Sequence, residues 1–330
     1  MPTYELAPCP VCASRSARVV ADADGVKREV EALWEFHTRR LRPDTPPGRL
    51  ADRVAFSQRP PMGVVQCDAC GLVYRNPREC AEELSALYAE EVQDDAVLAS
   101  LFENQRVAYR VQAARLTREL GLPGAGLEVG SYVGGFLTAA RESGWRFEGL
   151  DINECAAAFA RSHGCTVTIG DLQSFDGGRR FDAVAFWNCF DQLPDPRGAA
   201  IAARTLLAPG GMLVVRVPNG GFYVAVRKLL HSSLAPIARA LLAHNNLLTF
   251  PYRHGFTPSS LGVLLEDAGF RVQRVVGDAL VPVADEWTQA WAVWEEQTVK
   301  RGVRTAARLG ALRARAAPWI EVYARAGGRE

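Results

Sequence analysis

From residue 127 onward, short apolar runs alternate with stretches of helical periodicity, and this alternation limits the fold more narrowly than anything else in the chain. Residues 127–130, 147–150, 166–169, 181–187, 211–217, 270–276 and 319–326 read as strands. Helices are expected over 135–143 and 154–163, and from Thr257-Pro258, where Thr serves as N-cap and Pro occupies the first turn. Strands spaced this way by helices predict an α/β, Rossmann-like doubly wound sheet of seven strands, mostly parallel. Residues 220–252 and 285–318 exceed that minimal sheet. Both segments follow strands on the carboxyl side, where ligands bind in such folds, so both read as helical lids.

The first 80 residues have a different texture. Cys9 and Cys12 form one C-x-x-C pair, and Cys67 and Cys70 form another. Four thiolates suit tetrahedral zinc, and a site whose four positions are all filled by protein is structural. Residues 1–80 are therefore expected to form a small zinc ribbon with a helical insert. Its helix falls near 26–41 and its short strands near 18–21 and 71–75. Residues 81–120 read as a helical connector: Leu84, Leu87 and Tyr88 share one face, and a second helix covers 104–120. Residues 121–330 then hold the main domain. Cys80, Cys155, Cys165 and Cys189 stand alone and are expected to be buried spectators.

Charge narrows the choice of partner. The 330 residues carry 38 Lys and Arg against 37 Asp and Glu, a net charge of +1. Phosphate neutralisation dominates nucleic-acid affinity, so a neutral chain is a poor candidate for gripping it. No apolar run is long enough to span a membrane and no leader is visible, so a cytoplasmic location is expected.

Within the alternating region, residues 126–137 form a strand, a glycine-bearing turn and a helix. Asp151 ends the second strand, where a carboxylate can accept from both hydroxyls of a ribose or can simply cap the next helix. Asp171 follows the third strand and Asn188 the fourth. A helix end, tight turn and strand then appear as Leu206-Leu-Ala-Pro-Gly-Gly-Met-Leu213. In order and spacing these pieces resemble the class I S-adenosylmethionine-dependent methyltransferases, over roughly residues 120–280.

That resemblance implies a cofactor site. Glu128, Gly130, Ser131, Tyr132 and Gly134 would shape the pocket around the methionine end. Asp151 would hold the ribose, Ile152 would pack on the adenine, and Asp171 would accept from the adenine amino group, with Leu172 contributing backbone contacts. Asn188 would lie near the methionine moiety. Tyr132 departs from the pattern, since relatives usually carry glycine there. Residues 190–195 also depart, with Asp191-Gln192 where many relatives carry Glu-His. The paired cysteines, with Asn76-Pro77 behind the second pair, are similar to the N-terminal ribbon of a subset of bacterial members acting on sugars or natural products.

Methyl transfer from a sulfonium requires alignment, exclusion of water and, for some acceptors, removal of a proton. Tyr132, Phe136, Trp187 and Phe190 are candidate aromatic walls, and Phe136 and Trp187 equally suit the core. His254 leads the candidates for a base, with Tyr223, Asp191 and His244 behind it. The implied acceptor is a small molecule, either a sugar nucleotide or a secondary-metabolite intermediate. An RNA methyltransferase, a nicotinamide-dependent oxidoreductase and a non-catalytic binding module are the alternatives. Tyr132 in the middle of the would-be G-x-G-x-x-G argues against the oxidoreductase.

Overall fold

The computed structural model describes residues 4–45, 62–80, 94–245, 247–248, 253–279 and 287–327. The expected helix carrying Leu84, Leu87 and Tyr88 lies outside them.

Seven strands form the central sheet: β6 (Ala125–Val129), β7 (Arg146–Asp151), β8 (Val167–Ile169), β9 (Phe181–Trp187), β10 (Leu207–Pro218), β12 (Phe270–Asp278) and β13 (Trp319–Ala326). Their order is β12-β13-β10-β9-β6-β7-β8. Neighbours from β10 to β8 run parallel, while β13 runs antiparallel to both β10 and β12. The sheet is mostly parallel, as expected, with β13 alone reversed.

Strand alternation sorts the core into two faces. Ala183, Ala185 and Trp187 of β9, with Met212 and Val214 of β10, pack against α2 (Asp95–Leu120) and α3 (Gly135–Glu142). Val184 and Phe186, with Leu213, Val215 and Val217, face the opposite layer, which includes α5 (Pro196–Leu206) and α8 (Pro258–Asp267). Helix α4 (Glu154–Ser162) follows β7. Local chemistry sets the boundaries. Thr257 Oγ1 accepts from the Ser260 amide (3.0 Å) and Ser260 Oγ from the Thr257 amide (2.9 Å), a reciprocal capping box ahead of α8. Gly121 closes α2 in the left-handed conformation at φ +91°.

The N-terminal residues build a second sheet. Strands β2 (Ala17–Ala21), β3 (Val64–Cys67) and β4 (Val73–Arg75) pair antiparallel, and a two-stranded ribbon joins β1 (Tyr4–Glu5) to β5 (Arg78–Glu79). The sequence does not announce β3, because Val64-Val-Gln-Cys67 is too short to show a period. A fourth strand comes from far along the chain: β11 (His254–Gly255) adds to β4 with His254 opposite Tyr74. Cys9, Val11, Cys67, Leu72 and Tyr74 belong to the same buried cluster as Phe186, Phe190 and Phe256 of the main sheet's layer. Arg197 of α5 also donates to the Val11 carbonyl at 2.6 Å.

Helices cover the carboxyl edge near β10. Asn219 caps α6 (Gly220–Arg227), and α7 (Ala235–Asn245) follows a short 3-10 turn. Both pack on α1 (Ala23–Thr38), the helix of the N-terminal insert. The segment after α1 meets the start of α9 (Ala290–Arg308): Leu41 bridges Thr288, and Arg40 pairs with Glu295 at 2.6 Å. No helix among the described residues is long and apolar enough to cross a membrane.

Candidate active site

The carboxyl ends of β6, β7 and β9 converge on one small volume. Gly130, at φ +70°, leaves β6, and a Cβ on it would lie 2.9 Å from the Cys189 side chain, so no larger residue fits. Tyr132 follows at φ +47°, the left-handed conformation that glycine adopts without strain. Its amide donates to Asp151 Oδ2 at 2.6 Å, while Asp151 Oδ1 accepts from the Asn153 amide at 2.9 Å. One carboxylate at the end of β7 thus fixes the turn after β6 and the start of α4 together. The Tyr132 side chain packs beside Leu98, Phe102 and Val133.

The charges here are strongly perturbed. Glu128 on β6 is fully buried, and one of its oxygens, Oε2, has no partner among the described residues. Burial, with Asp151 adding to it, pushes the Glu128 carboxyl well above the usual carboxylate range. Burial also raises Asp151, against the backbone N–H groups of Asn153, Tyr132 and Ile152. Next to this buried acid the apolar Ile152 is 36% exposed. Asp171 lies after β8 on the surface, and the backbone N–H of Ser174 is the first of the donors that lower it. Leu172 beside it is buried.

Asn188 is held from four directions. Its Nδ2 donates to the Tyr109 hydroxyl (3.1 Å), its Oδ1 accepts from Arg216 Nη1 (2.8 Å), its amide donates to the Arg216 carbonyl (3.1 Å), and its carbonyl accepts from Gln192 (2.6 Å). Like Tyr132, it sits at positive φ, +61°. Backbone strain of this kind survives only where the surroundings over-determine it. Behind Asn188 runs a buried polar chain. Arg216 Nε lies 3.3 Å from Asp278 Oδ2, and Asp278 also accepts from Arg304 (3.0 Å) and Gln112 (2.9 Å). Arg115 and Tyr323 both bond Glu321 nearby.

The four proton-transfer candidates do not share one place. His254 and Asp191 are neighbours: the Arg253 amide donates to the Asp191 carbonyl at 3.1 Å, and both side chains are buried without a hydrogen-bond partner among the described residues. Burial, reinforced by Arg253, Arg78 and Arg75, keeps the His254 ring neutral, well below its ordinary pKa. Burial likewise pushes the Asp191 carboxyl well up. Tyr223 lies elsewhere, with its hydroxyl donating to Glu29 Oε2 at 2.9 Å. His244 is half-buried and also apart, held down to about 4 by desolvation. Phe136 and Phe190 are fully enclosed in the core, and Trp187 packs between Tyr109 and Phe136.

Tyr109, Cys189 and Arg216 escape sequence reasoning. Tyr109 sits mid-helix, Cys189 reads as an isolated thiol, and Arg216 is one charge within an apolar strand. A charge inside Val-Val-Arg-Val-Pro, where a parallel strand is otherwise continuous and apolar, is the signal that was available.

The four paired cysteines also meet. Their sulfurs all lie within 4.8 Å of one another, with Cys9–Cys70 and Cys12–Cys67 each at 3.5 Å. A tetrahedral zinc with bonds of about 2.3 Å sets its sulfurs about 3.8 Å apart, so this donor set fits the ion.

Comparison with known proteins decides the family. Residues 102–275 match the family described as a methyltransferase domain, which is more than half of the chain. The chain belongs to that family. It is an S-adenosylmethionine-dependent methyltransferase, which sets the oxidoreductase alternative aside. It is 24% identical, over 50% of its own length and 72% of the relative's, to a ubiquinone biosynthesis O-methyltransferase of Pseudomonas paraeruginosa. Among solved structures it is similar to the 1,6-didemethyltoxoflavin-N1-methyltransferase of Burkholderia thailandensis, with 17% identity, 81% and 96% of the two chains covered and a TM-score of 0.47. An amino pentose methyltransferase of Micromonospora echinaspora matches 38% of this chain and 58% of its own at 28% identity, with a TM-score of 0.33.

The groups gathered at this sheet edge suit that cofactor. An unpartnered buried carboxylate oxygen on Glu128 suits an ammonium group. Asp151 keeps lone pairs beyond its backbone donors, and exposed Ile152 offers an apolar surface next to it.

Proposed function

We propose that this methyltransferase acts on a small-molecule acceptor, a sugar nucleotide or a secondary-metabolite intermediate, and that it carries a structural zinc. The unpartnered Glu128 oxygen beside Asp151, at the carboxyl ends of β6 and β7, is the observation that carries the site assignment. The name of the ubiquinone-pathway relative and the near-zero net charge support a small acceptor.

In this reading Glu128, Gly130, Ser131, Tyr132 and Gly134 form the methionine end of the cofactor site, with Asn188 beside them. Asp151 takes the ribose hydroxyls, Ile152 packs on the adenine, and Asp171 accepts from the adenine amino group with Leu172 contributing backbone contacts. The cofactor when bound supplies an electrophilic methyl group on a sulfonium. The rest of the chemistry belongs to the chain. Arg216 and Tyr109 fix the Asn188 amide so that nothing reorganises during transfer. Tyr223 is engaged with Glu29, so the acceptor's proton is assigned to a ring nitrogen of neutral His254, with Asp191 beside it. Cys9, Cys12, Cys67 and Cys70 hold zinc and thereby brace β4, on which β11 and His254 are laid. Residues 1–80 are the zinc unit, 81–120 the connector, and 121–330 the catalytic domain with lids at 220–252 and 285–318.

The test is calorimetric titration with S-adenosylhomocysteine. Asp151→Asn removes the charge from a ribose acceptor, and a charge-assisted bond is worth about 1.5–3 kcal/mol, roughly tenfold or more in affinity. Unchanged affinity in a folded variant would remove Asp151 from the site.

A further inference from the structure

A cavity of about 190 Å³ lies away from every residue assigned above to the cofactor or the metal, between α1, α6, α7 and the 3-10 turn joining the last two. Gly25, Arg28, Glu29, Ala32 and Leu33 present one face of α1 to it, at the three- and four-residue spacing that stacks side chains along a helix. Arg227, Leu230, His231, Arg239 and Leu242 supply the facing wall.

The two kinds of lining have different consequences. Ala32, Leu33, Leu230 and Leu242 offer an apolar wall. Against it stand three guanidinium groups and an imidazole, with Glu29 as the only acid among the described lining residues. That acid is already engaged: its carboxylate accepts from the Tyr223 hydroxyl (2.9 Å) and from Arg227 Nε (2.5 Å). Arg28 and Arg239 have no ion-pair partner among the described residues. Arg227 spends its Nε on Glu29, and its terminal nitrogen borders Gly25, where a Cβ would approach to 3.3 Å. The missing side chain at Gly25 thus leaves that guanidinium face open to the cavity.

We infer that this cavity is a binding site for a small organic phosphate, its phosphate oxygens on Arg28, Arg227 and Arg239 and its carbon frame against Leu33, Leu230 and Leu242. A phosphate presents three terminal oxygens to donors that come as planar forks, whereas a carboxylate has only two for three arginines. A half-open cavity of this volume takes one phosphate with a small apolar group. The site stands independently of the methyl-transfer reading. It also accounts for the joint presence of the N-terminal insert helix and the 220–252 insert, since neither forms the cavity alone.

Phenyl phosphate, inorganic phosphate and phenol are titrated calorimetrically into the full chain, in parallel with S-adenosylhomocysteine. The expected result is saturable binding of phenyl phosphate, weaker binding of inorganic phosphate and none of phenol. Arg28→Gln/Arg239→Gln, which removes two exposed side chains without touching the Glu29 contacts, should weaken phenyl phosphate by about tenfold or more, since each charged hydrogen bond is worth about that factor. S-adenosylhomocysteine affinity should stay at the wild-type value, which shows that the variant is folded. Absence of saturable phenyl phosphate binding to the wild-type chain overturns the inference, and so does equal affinity in the double variant. Phosphate binding without S-adenosylhomocysteine binding would keep this site and remove the cofactor assignment, so the two readings fail separately.

Discussion

Arg216 is the residue whose loss should tell most about how the site is held. It is fully buried, its Nε is 3.3 Å from Asp278, its Nη1 donates to Asn188 at 2.8 Å, and its guanidinium lies 5.2 Å from the Trp319 ring centre. Arg216→Met keeps much of the volume and removes the charge. Breaking one side of a buried pair costs about 3–5 kcal/mol, because the remaining charge stays in the interior uncompensated. Asp278 keeps Arg304 and Gln112, which places its share at the lower end of that range. Asn188 Oδ1 loses its donor, worth about 1–3 kcal/mol for a buried polar atom. A net loss of about 3–5 kcal/mol is therefore expected, a large part of the 5–15 kcal/mol typical of a folded domain. Urea unfolding followed by far-ultraviolet circular dichroism measures it, and calorimetry with S-adenosylhomocysteine reads the release of Asn188 as weaker binding. Arg216→Lys retains the charge but not the fork and should fall between, which covers the case in which the Met variant does not fold. In the double variant Arg216→Met/Asp278→Asn the cost should be less than the sum of the singles. A loss under about 1 kcal/mol for Arg216→Met, with unchanged ligand affinity, would refute the reasoning.

Other outcomes follow from the same geometry. Glu128→Gln removes an acid that is penalised by burial, so the ligand-free protein should melt at a higher temperature near pH 7 while S-adenosylhomocysteine binds less tightly; a lower melting temperature would contradict the raised carboxyl. Cys67→Ser should lower the zinc content measured by plasma mass spectrometry from about one ion per chain and reduce the melting temperature, because a structural zinc contributes to folding outright. His254 and His244 both have folded pKa values depressed by burial, His244 to about 4. Below the ordinary histidine value of about 6.5 the unfolded chain takes up protons that the folded chain does not. Their stabilising contribution is therefore present above that value and is lost as pH falls toward 4. His244→Asn should flatten that decline in urea midpoints measured from pH 7 to 4, and an unchanged slope would argue against a buried neutral ring.

Much of the architecture is written in local pattern. Strand residues 181–187 and 319–326 coincide with β9 and β13, and the Thr257-Pro258 start of α8 carries a complete capping box, because period and cap chemistry are local properties. The turn that places Gly130 and the acid that ends β7 are equally local. What the sequence hides is long-range. Nothing near Arg216 says that Asp278 and Asn188 will meet it, nor does Tyr109 in mid-helix show that its hydroxyl reaches Asn188. The burial of His254 has the same origin, since its surroundings include arginines at 75 and 78. Tyr132 reads as a departure from glycine, yet the backbone adopts glycine's conformation anyway and Asp151 secures it.

The pairing of β11 with β4 also sets an order of events during synthesis. The four paired cysteines can meet soon after Cys70 leaves the ribosome, but the outer edge of β4 stays unpaired until His254 and Gly255 have been made. An open strand edge is a template for pairing with another chain. The nascent protein therefore passes through a stage in which the open edge of its N-terminal sheet is exposed to mispairing, and the last partner to arrive is the strand that bears His254.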